Sequence, residues 1–105
     1  MTKYSREVMD ESEIKPVDVY RNAIRSYGKE AQCRQAMEEC AELIQAVNKC
    51  LRAGTEDNII HMFDEVADVV IMIEQLCVMY GWDYENIRKA RVRKLVRLAK
   101  RLGMI

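Results

Sequence analysis

Apolar side chains recur every third or fourth residue along most of this chain, and no stretch alternates with a period of two. That is the pattern of helices with one face turned inward, not of strands. Between Lys29 and Ala53 the apolar positions are Ala36, Met37, Cys40, Ile44, Val47 and Leu51, which predicts one long helix ending at Gly54, a residue suited to a C-terminal stop. Upstream, Pro16 suits a first helical turn, and Val17–Tyr27 reads as a short helix ending at Gly28. Thr55 can cap a third helix, with Glu56 and Asp57 in its electropositive first turn. That helix runs to about Tyr80 and stops at Gly81. Asp83 is the next candidate cap, for a last helix over Tyr84–Leu102 ahead of Gly103. Residues 1–15, MTKYSREVMDESEIK, are polar and read as a tail, leaving residues 16–105 as a single helical domain.

The third helix is unusual. Val66, Val69, Val70 and Ile73 make one apolar face, and Ile60, Ala67, Ile71 and Val78 a second. A helix apolar on two sides needs neighbours on two sides. The chain has 105 residues, and one domain of that size is hard pressed to supply them, so a homo-oligomer with this helix near the interface is the economical solution. The alternative is a monomeric bundle that covers both faces. The expected fold is therefore all-α: a protomer of four-helix-bundle type, built on an antiparallel helix hairpin and oligomeric.

Composition supports this and narrows the function. Four Gly and one Pro are too few for a turn-rich β protein. The longest apolar run, Val69–Ile73, is far short of a membrane span. Basic and acidic residues balance at 17 each, which excludes a globally basic nucleic-acid binder. The balance hides an asymmetry: residues 1–82 hold 9 basic and 15 acidic groups, residues 83–105 hold 8 and 2. Cys33, Cys40, Cys50 and Cys77 show no CxxC spacing, and the tail lacks an apolar signal core. They are expected to be reduced, mostly buried thiols of a cytoplasmic protein.

The candidate chemistry lies in carboxylates. Glu39 and Glu42 stand three apart on the second helix, Glu65 and Asp68 three apart on the third, so each pair shares a helix face. If the two helices form an antiparallel hairpin, residues equidistant from the turn lie level. The pairs Glu39/Asp68 and Glu42/Glu65 both centre between Ala53 and Gly54, which sets all four acids at one height. Four such acids repel unless a cation is present, and Asp68 stands inside an apolar run where a bare charge is costly. All-carboxylate ligands favour a hard ion, Mg²⁺ first and Mn²⁺ second. The competing reading makes Glu39 and Glu42 a solvated face paired with Lys or Arg. A ferritin-like di-iron site wants Glu-x-x-His motifs. The single histidine, His61, precedes Glu65 by four and fits a partly exposed filler better than a group behind the acids. A sulfur-ligated zinc site lacks its spacing. No Gly-rich phosphate loop and no Ser-His-Asp or Cys-His set is present.

These residues resemble a known family. EECAE at 38–42, followed after a gap by EVAD at 65–68, is similar to the EExxE…ExxD signature of the MazG-like all-α nucleoside triphosphate pyrophosphohydrolases. The resemblance extends over residues 27–101, including Tyr27-Gly28, Gln32 and EVADVVIMIEQL. It implies Mg²⁺-dependent hydrolysis of a nucleoside triphosphate to the monophosphate and pyrophosphate, by an obligate oligomer, dimer or tetramer. It implies Glu39, Glu42, Glu65 and Asp68 as metal ligands and Glu38 as a neighbour behind them or a water-positioning group. Glu38 or Glu39 could accept the attacking water's proton. Lys94 and Arg97 match the family's downstream basic positions and become phosphate contacts. Trp82, Tyr80, Tyr84 and Tyr27 are available for base stacking, although aromatics flanking a helix end more commonly pack. Two non-enzymatic alternatives stand beside this one: a helical regulatory module binding nucleic acid through its basic last helix, and a bundle that metal stabilises without turnover.

Overall fold

The computed structural model describes residues 10–105. Among them four α-helices follow one another with no strand: α1 (Pro16–Tyr27), α2 (Lys29–Arg52), α3 (Glu56–Tyr80) and α4 (Tyr84–Arg101). The polar tail divides. Residues 1–9 lie outside the described residues, while Asp10 caps a single 3-10 turn, Glu11–Glu13, by accepting from the Ser12 amide at 3.0 Å.

The helix starts follow the capping residues. Pro16 occupies the first turn of α1. Thr55 Oγ1 accepts from the Asn58 amide at 3.2 Å, and Asp83 Oδ1 accepts from the Glu85 amide at 3.0 Å. Gly81 ends α3 in the left-handed region at φ 66°, where a Cβ is strained. Gly54 differs from expectation. It takes no positive φ, and Ala53 is the C-cap of α2. Asn58 closes that turn instead: its side-chain amide donates to Ala53 O at 2.8 Å, and its own carbonyl accepts from Cys50 Sγ at 3.1 Å.

α2 and α3 form the antiparallel hairpin, and α1 packs across both. The facing stripes each follow a seven-residue repeat. On α2 the repeat runs through Gln32, Ala36, Glu39, Leu43, Ala46 and Cys50, and on α3 through Met62, Glu65, Val69, Met72, Leu76 and Met79, all of them buried or half-buried. Gln32 Nε2 donates to Gln75 Oε1 at 2.7 Å across the hairpin, both side chains buried. Those two residues centre between Ala53 and Gly54, so the register is the one the level acids require.

The packed faces are not the ones the apolar pattern selected. On α2 only Ala36 of that set turns inward; Met37, Ile44, Val47 and Leu51 are exposed, by 42% to 83%. Ala36 and Ala46 are buried in the seam, and the bulky stripe lies outside it. On α3, Val66, Val70 and Ile73 of one expected face and Ile60 and Ile71 of the other remain exposed. Of the four cysteines, all free, only Cys77 is buried and Cys40 is exposed, a correction to the expectation that most are buried.

α4 makes no comparable packing contact with any other helix and buries no side chain. It projects from the end of the hairpin opposite the Thr55 turn. The molecule is consequently elongated, 63 × 35 × 29 Å with a radius of gyration of 17.9 Å, against roughly 13 Å for a compact chain of this length. Within one chain there are three packed helices and an arm.

Candidate metal centre

Two of the hairpin's inward-facing positions hold carboxylates in a repeat that is otherwise uncharged. Glu39 is half-buried and Glu65 is buried, with 8% of its surface exposed. Glu42, one turn along from Glu39, completes a group in which one carboxylate oxygen from each of Glu39, Glu42 and Glu65 lies within 4.8 Å of the others. Helical spacing explains the convergence: a three-residue step on α2 keeps both acids on the side facing α3.

The electrostatics of the three are unfavourable as they stand. Burial pushes Glu39 above its ordinary value of 4.5, and contact with Asp68, then the charge of Glu42, push it further; Gln35, donating to Glu39 Oε1 at 2.9 Å, opposes this. Burial also raises Glu65, followed by repulsion from Glu42, with His61 acting the other way. The second oxygens, Glu39 Oε2 and Glu65 Oε2, are buried without a hydrogen-bond partner. Buried carboxylate oxygens ordinarily find donors; two orphaned together, on acids already crowded by a third, is the arrangement a hard cation satisfies.

Asp68 is exposed and stands beside Glu39 without entering the closest group. Glu38 is exposed on α2. Lys94 and Arg97 are exposed on α4, and the arm's lack of packing leaves them apart from the carboxylates within one chain. Lys94 instead lines a surface groove formed by α4 alone.

The surroundings hold groups that sequence reasoning passed over. A polar cavity of about 340 Å³ adjoins the acids, lined by Glu42, Gln45, Ala46, Lys49, His61 and Glu65. His61 is exposed, as expected of a filler, yet its Nε2 lies 3.7 Å from Glu65 Oε1. Gln45 and Lys49 follow Glu42 by three and seven residues, the same helix face, which is the signal that could have found them. Tyr80 and Trp82 stack on each other with ring centres 5.2 Å apart, and Lys29 Nζ sits 4.0 Å over Tyr80; these aromatics pack at the α3 end, remote from the acids along the helix.

Comparison with protein-family models, curated proteins and solved structures found no match.

Proposed function

We propose that the chain is a Mg²⁺-dependent nucleoside triphosphate pyrophosphohydrolase that works as a homo-oligomer. The observation that carries this reading is the pair of buried, unpartnered oxygens of Glu39 and Glu65 within a cluster of three carboxylates. The resemblance of EECAE and EVAD to the MazG-like signature supplies the reaction.

Glu39, Glu42 and Glu65, with Asp68 beside them, are the residues to hold Mg²⁺. When bound, the ion offsets the negative charge of a triphosphate that an acidic site otherwise repels. The chain's own groups do the rest. Lys49, in the wall of the adjoining cavity, is the cation to meet phosphate oxygens, and His61 beside it offers a ring N–H as a further donor. Glu38 or Glu39 is the carboxylate to accept a proton from the attacking water. The resemblance assigns Glu38, the position before Glu39 on α2, either to a place behind the ligands or to orienting that water. The water oxygen attacks the α-phosphorus, the bond to the bridging oxygen breaks, and pyrophosphate leaves. Oligomerisation covers the apolar faces of α2 and α3 that the single chain leaves exposed and completes a helical bundle.

The test is incubation of the purified protein with the eight common nucleoside triphosphates and Mg²⁺, measuring pyrophosphate. Release with at least one nucleotide, absent in Glu65→Gln, is expected. A second reading rests on the free-standing α4: a module that binds nucleic acid. It predicts a salt-sensitive shift of DNA with no pyrophosphate.

A further inference from the structure

α1, the C-terminal end of α3 and the start of α4 meet around a cleft of about 310 Å³, at the lower end of the size range of small-molecule sites. Three of its lining side chains are aromatic: Tyr20 from α1, Trp82 from the connecting turn and Tyr84 from α4. Cys77 and Val78 of α3 add apolar surface, and Glu74 supplies the one carboxylate. The cleft is separate from the metal centre. Glu74 follows Glu65 by nine positions, roughly 13 Å along the axis and about two and a half turns, so the two side chains leave α3 on opposite sides.

The aromatic lining is held in place. Trp82 stacks on Tyr80 with ring centres 5.2 Å apart. Tyr20 is buried, and its hydroxyl donates to Glu74 Oε1 at 3.1 Å. Rings in this cluster already receive cations of the chain. Lys29 Nζ sits 4.0 Å from the ring centre of Tyr80, and the Arg88 guanidinium 5.4 Å from that of Tyr84. The charge of Arg88 is answered by Glu85 at 3.6 Å. Half-buried Glu74 has no such counterpart: among the described residues no Lys, Arg or His forms an ion pair with it.

We propose that this cleft binds an organic cation, a small compound carrying an alkylated ammonium group. Aromatic rings attract such a cation through their quadrupole, tryptophan most of all, and Glu74 answers its charge. Alkylation follows from the donors and acceptors present. A primary ammonium brings three N–H donors, while the lining offers one carboxylate, one of whose oxygens Tyr20 already engages. A quaternary ammonium has no donor to satisfy and sets its methyl groups against the rings, Cys77 and Val78. A neutral nucleobase stacks on the same rings but brings no charge to offset that of Glu74. The cation site depends neither on the reaction at the carboxylate cluster nor on oligomerisation.

Trp82 is the chain's one tryptophan, so its fluorescence reports on the cleft directly. The experiment titrates the full chain with choline and with tetramethylammonium at constant ionic strength, with binding heat measured in parallel. Saturable binding of both at millimolar concentration is expected. The uncharged analogue of choline, with a tert-butyl group in place of the trimethylammonium, is expected to bind at least tenfold more weakly, and so is ammonium chloride. Absence of saturation by both readouts overturns the site. Equal binding of the uncharged analogue means that the cleft reads shape alone and overturns the cation; equal binding of ammonium overturns the alkylated class. Guanosine binding more tightly than choline assigns the cleft to a base and likewise overturns the cation. Glu74→Gln keeps an acceptor for Tyr20, so the melting temperature is expected to hold while choline binding weakens at least tenfold. Tyr84→Leu is expected to weaken it similarly, with Trp82 retained as the probe. Wild-type affinity in either variant overturns the proposal.

Discussion

Glu39 and Glu65 are the residues whose environment differs most from what an acid prefers, and their behaviour follows from it. Each binds its proton more tightly in the folded protein than at the ordinary value of 4.5. From about that pH upward, through the raised values, the folded state holds more protons than the unfolded one, so these two groups lower stability as pH rises. The metal-free melting temperature is expected to fall across that window, and Glu65→Gln to flatten the decline when both are measured in chelator. Millimolar Mg²⁺ or Mn²⁺ is expected to raise the wild-type melting temperature at neutral pH and to leave Glu65→Gln nearly unmoved. For turnover, Glu42→Gln and Asp68→Asn each remove a charge from the cluster or its edge, and pyrophosphate release should drop by about two orders of magnitude. Glu74→Gln is the control. Glu74 serves α1, accepting from Tyr20, and a glutamine carbonyl still accepts there, so little change is expected.

The hairpin depends on a few polar contacts that no apolar count reveals. Gln32 and Gln75 meet in the buried seam at 2.7 Å. Gln32→Leu strands the Gln75 amide, and the cost expected is about 1–3 kcal/mol by thermal or urea denaturation. Gln32→Leu/Gln75→Leu removes both partners and should recover most of that loss. The turn makes a second contrast. Thr55→Ala deletes the cap of α3 and is expected to cost about 1 kcal/mol, with Asn58→Ala comparable because it frees Ala53 O. Gly54→Ala should be silent or slightly stabilising: Gly54 has no positive φ, and an added Cβ meets only Cys50 O at 3.5 Å.

The single chain is elongated and leaves apolar stripes exposed on α2, α3 and α4. Among the described residues no side chain has less than 2% of its surface exposed, whereas a self-sufficient domain of this size encloses several. Ile71, 42% exposed on the second apolar face of α3, tests the consequence. Ile71→Glu is harmless to an isolated chain but puts a charge into any interface there, so light scattering should show dissociation with helix content retained.

Helix number and order, and every end but that of α2, were legible from the residues alone because caps, proline and glycine act locally: Thr55, Asp83, Pro16 and Gly81 do their work within a turn. The level placement of Glu39, Glu42 and Glu65 was also legible, since an antiparallel hairpin with a short turn makes height a matter of counting. Which face of each helix turns inward was not. Helical periodicity finds an apolar stripe but not its partner, and in α2 the seam took Ala36 and Ala46 and left Met37, Ile44, Val47 and Leu51 outside. The burial of two carboxylate oxygens, the Gln32–Gln75 bond and the cavity holding Lys49 and His61 arise where two helices meet. The detachment of α4 was not legible either, because caps and periodicity give a helix its length but not what it packs on.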